Sequence, residues 1–116
     1  MKETTQNLEA LFAGKDVTVR AIYERLLEVL HTFGPFQEEP KKTSIHLVTT
    51  SGFAGVHPRK SFLYLNLRMN RPLQGERVAK SEQVSRNRYH NEIKITSLDK
   101  VDGELIGWLE EAYALA

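Results

Sequence analysis

The sequence predicts an α+β fold, a two-layer sandwich in which an antiparallel sheet of about four strands carries N-terminal and C-terminal helices packed on one face. Apolar residues recur at helical spacing near both ends of the chain, whereas in the middle they alternate with polar residues. Strands in a run with helices on either side favour separate helical and sheet layers. The length of 116 residues suits a single domain, 1–116, that is large enough to bury its own core.

Two helices are predicted before the sheet. The first is short and ends at Gly14, a residue type that favours the left-handed position after a helix. The second begins after Asp16, which suits an N-cap, and ends at Gly34-Pro35 because proline cannot donate the next hydrogen bond. Its apolar stripe consists of Val19, Ile22, Tyr23, Leu26, Leu30 and Phe33.

Two hairpins are predicted to follow. A two-residue loop at Ser51-Gly52 joins the first pair of strands, and a turn at residues 58–61 joins the second pair. The predicted partners are His46 with His57, Leu47 with Val56, His57 with Phe62, Val56 with Leu63, Gly55 with Tyr64, and Ala54 with Leu65.

The alternation assigns these residues to two faces. Leu63, Leu65 and Leu67 are expected to point towards the helices, whereas Tyr64 and Arg68 point away from them. A slip of one residue would turn every leucine outward, so the alternation specifies the face strongly. The predicted outer face also carries His46, Phe53, His57, Phe62, Asn66, His90, Glu92 and Lys94.

A connection, a fourth strand and a last helix complete the chain. Residues 77–85 (RVAKSEQVS) are predicted as either a short helix or an irregular crossing, and it stays open whether residues 70–88 cover the outer face. The fourth strand turns Ile93 and Ile95 inward. Asp99 is predicted to cap the last helix, whose apolar stripe consists of Val101, Leu105, Trp108, Leu109, Ala112 and Leu115.

Several short stretches of the chain resemble a known family. They contain Lys42, Thr43, Phe53, Val56, His57, Pro58, Lys60, Tyr89, His90, Asp102, Leu105, Trp108, Leu109, Ala112 and Tyr113. With the stretch LFAGK near the start, they resemble the domain-of-unknown-function 5655 family over most of the chain. The resemblance implies a small bacterial domain without an established activity.

Charge is segregated along the chain, although the net charge is only +1. Residues 1–40 carry a net charge of −3, residues 41–94 carry +8, and residues 95–116 carry −4. A cationic middle third favours an anionic partner, although positive charge also keeps an exposed sheet face soluble and discourages edge pairing.

Aromatic and cationic side chains meet on the predicted outer face. Rings that stack on bases, bordered by cations that meet phosphates, form the usual platform for single-stranded nucleic acid on a sheet. We therefore predict a binding module for an anionic partner, with nucleic acid as the first candidate. The candidate ligand-binding residues are Lys42, His46, His57, Arg59, Lys60, Tyr64, Arg68, Arg88, His90 and Lys94.

The alternative is a protein-interaction or homodimerisation module in which Phe53, Phe62 and Tyr64 form a dry interface. These alternatives differ in salt dependence, because phosphate binding weakens as salt rises and apolar association does not.

Other classes of function have less support. The motifs GxSxG, GxGxxG and HExxH and a Walker loop are missing, so no catalytic residue is assigned and an enzyme is the less favoured reading. His46, His57 and His90 could converge on zinc, but surface histidines are ordinary, so no metal and no cofactor are predicted. Residues 1–15 show no signal-peptide pattern, and the chain has no cysteine and no long apolar run, which predicts a cytoplasmic protein without membrane contact.

Overall fold

The computed structural model describes residues 2–116, with side chains from Asn7 onward. The prediction that residues 1–15 hold no signal peptide falls partly on Met1 and on the side chains of residues 2–6, which lie outside this described part. In chain order the elements are α1 (Lys2–Phe12), α2 (Val17–His31), β1 (Gln37–Pro40), β2 (Ile45–Val48), β3 (Gly52–Pro58), β4 (Leu63–Met69), β5 (Val78–Ser85), β6 (Arg88–Ile95), a 3₁₀ helix (Leu98–Lys100) and α3 (Gly103–Leu115).

The strands form a six-stranded antiparallel sheet in the order β1-β2-β3-β4-β6-β5. The predicted α+β class is confirmed. The predicted number of about four strands is wrong, because the two edge strands were not recognised in the sequence. β1 has the sequence QEEP, which carries little intrinsic strand preference. β5 covers the segment predicted as a helix or crossing, and all but one of its residues are exposed.

The helices pack against one face of the sheet around one hydrophobic core. Burial alternates along β4, where Leu63, Leu65 and Leu67 are completely buried while Tyr64 and Arg68 are partly exposed. The predicted assignment of β4 to its two faces is therefore correct. A completely buried leucine contributes about 2 kcal/mol by leaving water. The arrangement with the leucines inward is therefore strongly favoured over one in which they face solvent.

Both predicted hairpin registers are wrong by two residues. Val56 pairs with Ile45 and Leu65, whereas Leu47 and Leu63 were predicted as its partners. The assignment of side chains to the two faces is not affected by this error, because a shift of two residues leaves every side chain on the same side of a strand.

Both loops lie at other positions than predicted, and this explains the shift. Residues 49–51 join β2 to β3, and residues 59–62 join β3 to β4. The second loop closes where the Arg59 amide donates to the Phe62 carbonyl at 2.8 Å, so Phe62 lies in the loop and has no strand partner.

Phe53 lies on the helical side, which corrects its predicted place on the outer face. Its side chain is 1% exposed, and its ring meets that of Tyr113 edge to face at a centroid distance of 5.4 Å. The β2–β3 register shifts between Leu47 and Val48, opposite the start of β3, and such an irregularity re-aims side chains.

The last helix begins later than predicted. Asp102 caps α3 by accepting a hydrogen bond from the Leu105 amide at 3.0 Å, whereas Asp99, the predicted cap, lies in the preceding 3₁₀ helix. The Asp102 carboxylate also meets the Arg77 guanidinium at 2.8 Å, which ties the start of the helix to the segment before β5.

The connection at residues 70–77 runs on the helical side of the sheet. Leu73 is buried in the core, and the Arg71 guanidinium pairs with Glu111 of α3 at 2.9 Å. The completely buried Asn91 accepts from the Leu73 amide at 3.0 Å and donates to the Arg71 carbonyl at 3.1 Å. The connection therefore leaves the outer face uncovered.

Candidate functional site

The outer face of the sheet collects most of the predicted site residues. We define it by the side chains on the side opposite the helices, namely His46, His57, Tyr64, Asn66, Arg68, His90, Glu92 and Lys94. These side chains are partly or largely exposed, whereas their neighbours along the strands are mostly buried.

Strand pairing sets these residues in rows. One row runs from His57 through Tyr64 to Lys94, at the end of the sheet where the β3–β4 loop lies. Arg68 pairs with His90 towards the opposite end. The cross-strand neighbours of a row lie about 5 Å apart, which is close enough for one ligand to meet several of them.

An aromatic cluster lies at the β3–β4 loop and consists of Arg59, Phe62, Tyr64 and Lys94. The two rings meet edge to face at 5.2 Å, with the Arg59 guanidinium 5.4 Å from the Tyr64 centroid and Lys94 Nζ 4.4 Å from the Phe62 centroid. Arg59 and Lys94 form no salt bridge with any described residue. Both rings are partly exposed, so the cluster presents two rings, each with a free cation over it.

A shallow central cavity of about 160 Å³ lies beside the cluster. Gly55 opens it, because a Cβ at this position would lie 3.7 Å from His57 Nε2 and 3.9 Å from the Asn66 Cβ. The predicted pairing of Gly55 with Tyr64 is wrong, since Gly55 pairs with Asn66 and Tyr64 with His57. The cavity is lined by His46, Gly52, Ala54, Gly55, His57, Asn66, Arg68 and His90.

Arg68 is positioned by the backbone. Its Nη1 donates to the Gly52 carbonyl at 3.2 Å, which holds the guanidinium at the rim of the cavity. This hydrogen bond uses one of the five N–H donors of the guanidinium, so the remaining donors can bind an anion. Acidic groups also border this area, because Glu39 pairs with His46 and Glu82 with His90.

The other predicted residues lie around this centre. Lys42, in the β1–β2 loop, and Lys60, in the β3–β4 loop, are exposed at the same end as the aromatic cluster. Arg88 begins β6 at the opposite end, near Arg68. The structure thus brings together the residues of the cavity and the cluster, and places Lys42, Lys60 and Arg88 outside them.

Four residues that line the cavity were missed as site residues, namely Gly52, Ala54, Gly55 and Asn66. Gly55 and Asn66 are facing partners in the middle of the sheet, and both occupy outward positions of the period-two pattern. A glycine inside an amphipathic strand, which marks a place where a ligand or backbone comes close, was the available signal.

The cavity lowers the basicity of two histidines. Partial burial lowers the pKa of His57, and the positive charge of Arg59 lowers it further. Partial burial likewise lowers the pKa of His90, with Arg68 and Arg88 adding to the effect. Both imidazoles are therefore neutral at neutral pH and gain positive charge only under more acidic conditions.

We expect the free energy of unfolding to fall as the pH drops from about 7 to about 5. The folded pKa values of His57 and His90 lie below the unfolded value, so the unfolded chain takes up protons first and is favoured by acid. Urea denaturation across this range measures the slope, which should be shallower in a His57→Gln, His90→Gln variant. An equal slope in both proteins would contradict the assignment.

Two carboxylates, Asp102 and Glu111, also make the free energy of unfolding depend on pH. Hydrogen bonds from the Leu105 amide and from Arg77 lower the pKa of Asp102, and one from Arg71 lowers the pKa of Glu111. Stability from these two groups is lost as the pH falls below about 5, at the acid end of the histidine range.

Comparison with known proteins shows the family to which this chain belongs. A family model described as Domain of unknown function (DUF5655) matches residues 8–116. The chain belongs to the DUF5655 family. The resemblance inferred from the sequence is thereby confirmed, and the DUF5655 description assigns no activity. No curated protein and no solved structure matches significantly.

The motif residues of this DUF5655 chain divide between fold and site. Phe53, Asp102, Trp108 and Tyr113 serve the helical side, where the Tyr113 hydroxyl donates to the Pro35 carbonyl at 2.8 Å. The motif residues His57 and His90 line the central cavity, and Lys60 lies in the loop beside it.

Among the described side chains, no group of three or more His, Asp or Glu residues is arranged to hold a metal ion. Within residues 2–116, no helix has the length and apolarity required to cross a bilayer.

Proposed function

We propose that the outer face binds an anionic partner, with single-stranded nucleic acid as the first candidate. The aromatic cluster carries this proposal, because it sets two partly exposed rings beside two cations that have no acidic partner among the described residues. Base stacking on an aromatic ring contributes about 1–3 kcal/mol and tolerates any base, so two rings suit a sequence-tolerant binder.

The cavity extends the proposed binding surface along the sheet. A strand that stacks on Phe62 and Tyr64 places its phosphates near Arg59, Lys60 and Lys94. A further phosphate fits the central cavity, where Arg68 offers unused donors and where the neutral imidazoles can donate one hydrogen bond each.

The rival function, a dry protein interface or homodimer through the outer-face aromatics, has less support. Phe53 is buried against α3, so only two of its three proposed rings remain available. Lys94 and Arg59 lie over those rings, and burying them in an apolar interface would cost the desolvation of two charges.

Fluorescence anisotropy with labelled single-stranded and double-stranded oligonucleotides tests the proposal. We expect the single strand to bind more tightly, with a slope of log affinity against log salt of about −3 if four phosphates are met. A sulfated polysaccharide serves as competitor, since a general polyanion site would be blocked and a stacking site only partly so. Failure of every oligonucleotide to bind at low salt would remove nucleic acid as the partner.

A cytoplasmic location and a bacterial origin stay predictions. The first rests on the cysteine-free composition and the second on the family resemblance.

A further inference from the structure

β5 forms an open edge of the sheet. It is eight residues long, all of its residues except Val78 are exposed, and β6 is its only strand partner within the described chain. The opposite edge strand, β1, is protected, because it has only four residues and ends in Pro40, which has no N–H group to offer. The two edges are therefore unequal, and β5 is the one able to accept another strand.

The sequence of β5 is complementary to itself when read in the antiparallel direction. A two-fold axis at Ser81 sets Ser81 opposite its own copy and Lys80 opposite Glu82 of the second copy. Val78 and Val84 flank the two ends of this pairing, and Val84 is 45% exposed. We infer that β5 pairs with the β5 strand of a second copy of this chain in this register.

Electrostatic interactions favour this register over those in which the two-fold axis is moved by one residue. Moving the axis to Lys80 would set two lysines face to face, and moving it to Glu82 would do the same with two glutamates. With the axis at Ser81, both charged pairs attract, and opposite charges directly across two strands are stabilising whereas like charges are not. In the free chain Lys80 Nζ lies 3.8 Å from Glu82 of its own strand, so both side chains already point to one side.

The pairing is short. The β5–β6 register is irregular between Val78 and Lys80 and again between Gln83 and Ser85, which leaves residues 80–83 as the regular stretch. Bulges at both ends bend an edge away from extended pairing, so the dimer is weak and depends on concentration. The surrounding charges on this side are His90 and Glu92 of β6, which remain within their own chain.

This arrangement differs from a dimer formed through the outer-face aromatics. Antiparallel pairing of two edges about an axis perpendicular to the sheet keeps both helical layers on one side and both outer faces on the other. The aromatic cluster and the cavity stay exposed in each copy, and two binding surfaces lie side by side. The inference is thus independent of the proposed function, because the edge can pair whether or not the face binds nucleic acid.

A single cysteine tests the register, since the chain has none of its own. In a Ser81→Cys variant the two cysteines would face each other about 5 Å apart between their Cα atoms, within disulfide range. We expect a disulfide-linked dimer under mild oxidation. In a Gln83→Cys variant the two cysteines would lie about 13 Å apart, so it should stay monomeric. No cross-linking at position 81, or equal cross-linking at both positions, would overturn the inference.

Charge exchange tests the pairing without a cross-link. Sedimentation velocity should show a dimer of the unchanged chain that weakens about tenfold in Lys80→Glu and in Glu82→Lys, because two attractive pairs become repulsive. The double exchange restores both pairs and should restore the dimer. Equal association of all four proteins, or no association of any, would overturn it. Oligonucleotide binding measured at monomeric concentrations reports separately on the outer face.

Discussion

Replacing Arg59 and Lys94 together by glutamine is expected to weaken single-strand binding by about tenfold at low salt. These cations lie over the two rings of the aromatic cluster and form no salt bridge with a described residue, so they are available to a phosphate. The slope of log affinity against log salt should become shallower by about 1 to 2. Anisotropy titrations at several salt concentrations measure both quantities.

A matched variant separates the site from the overall charge of the molecule. Replacing Arg25 and Arg71 by glutamine removes the same number of positive charges from the helical side of the molecule, because Arg25 lies in α2 and Arg71 pairs with Glu111 of α3. This variant should bind nearly as well as the unchanged chain. If both double variants lost affinity equally, the effect would come from net charge and the outer face would have no special role.

The rings contribute the part of the affinity that salt does not affect. Replacing Tyr64 by leucine keeps an apolar side chain over the sheet but removes the π surface that faces Arg59. We expect a loss of about 1–3 kcal/mol in binding free energy with an unchanged salt slope. A changed slope with little loss of affinity would indicate that Tyr64 only positions Arg59.

The faces of the central strands could be predicted because they depend on a local property. In β4 every second residue is apolar, and helices cover only one face of the sheet. The leucines at 63, 65 and 67 can therefore be buried only on that face. The partners across the hairpins could not be predicted in this way. The alternation fixes the face but not the position of the loop, and a four-residue loop at 59–62 instead of 58–61 shifts the register by two.

The edge strands are extended for a reason that lies outside their own sequences. β5 is polar and almost fully exposed, and it is held by its pairing with β6 along most of its length. β1 likewise gains its shape from pairing with β2, and the buried hydroxyl of Tyr23 fastens it by donating to Glu38 at 2.6 Å. Periodicity detects strands that bury a face, and these two bury little.

The candidate site was predictable residue by residue but not as an arrangement. Outward positions of the alternation identified His46, His57 and His90, while the cavity between them depends on which residue stands opposite Gly55. That partner is Asn66, and the two-residue error in register hid it. Phe53 was misplaced because it is the extra residue of a bulge in β3, between the pairs that Gly52 and Ala54 make with β2, and the bulge interrupts the alternation on which its assignment rested.

Replacing Asn91 by alanine is expected to lower the free energy of unfolding by roughly 3 kcal/mol. Its side chain is completely buried and makes three hydrogen bonds: it accepts from the Leu73 amide and the Ser81 hydroxyl, at 3.0 and 2.6 Å, and donates to the Arg71 carbonyl at 3.1 Å. Alanine leaves two buried or half-buried backbone groups without this partner, and each unsatisfied group costs about 1–3 kcal/mol. Urea denaturation measures the change.

Ser81→Ala provides the matched comparison, because it removes only the hydroxyl contact to Asn91 at the exposed edge. We expect it to cost about 1 kcal/mol or less, since the bond is partly accessible to water and Asn91 keeps its other two partners. Both variants are compared at concentrations where the chain is monomeric, so that pairing at β5 does not enter. Equal losses would mean that the backbone contacts to the connection contribute nothing. A much larger loss in Asn91→Ala would show that one polar residue at an inward position of β6 holds the connection on the helical side, and so keeps the outer face open.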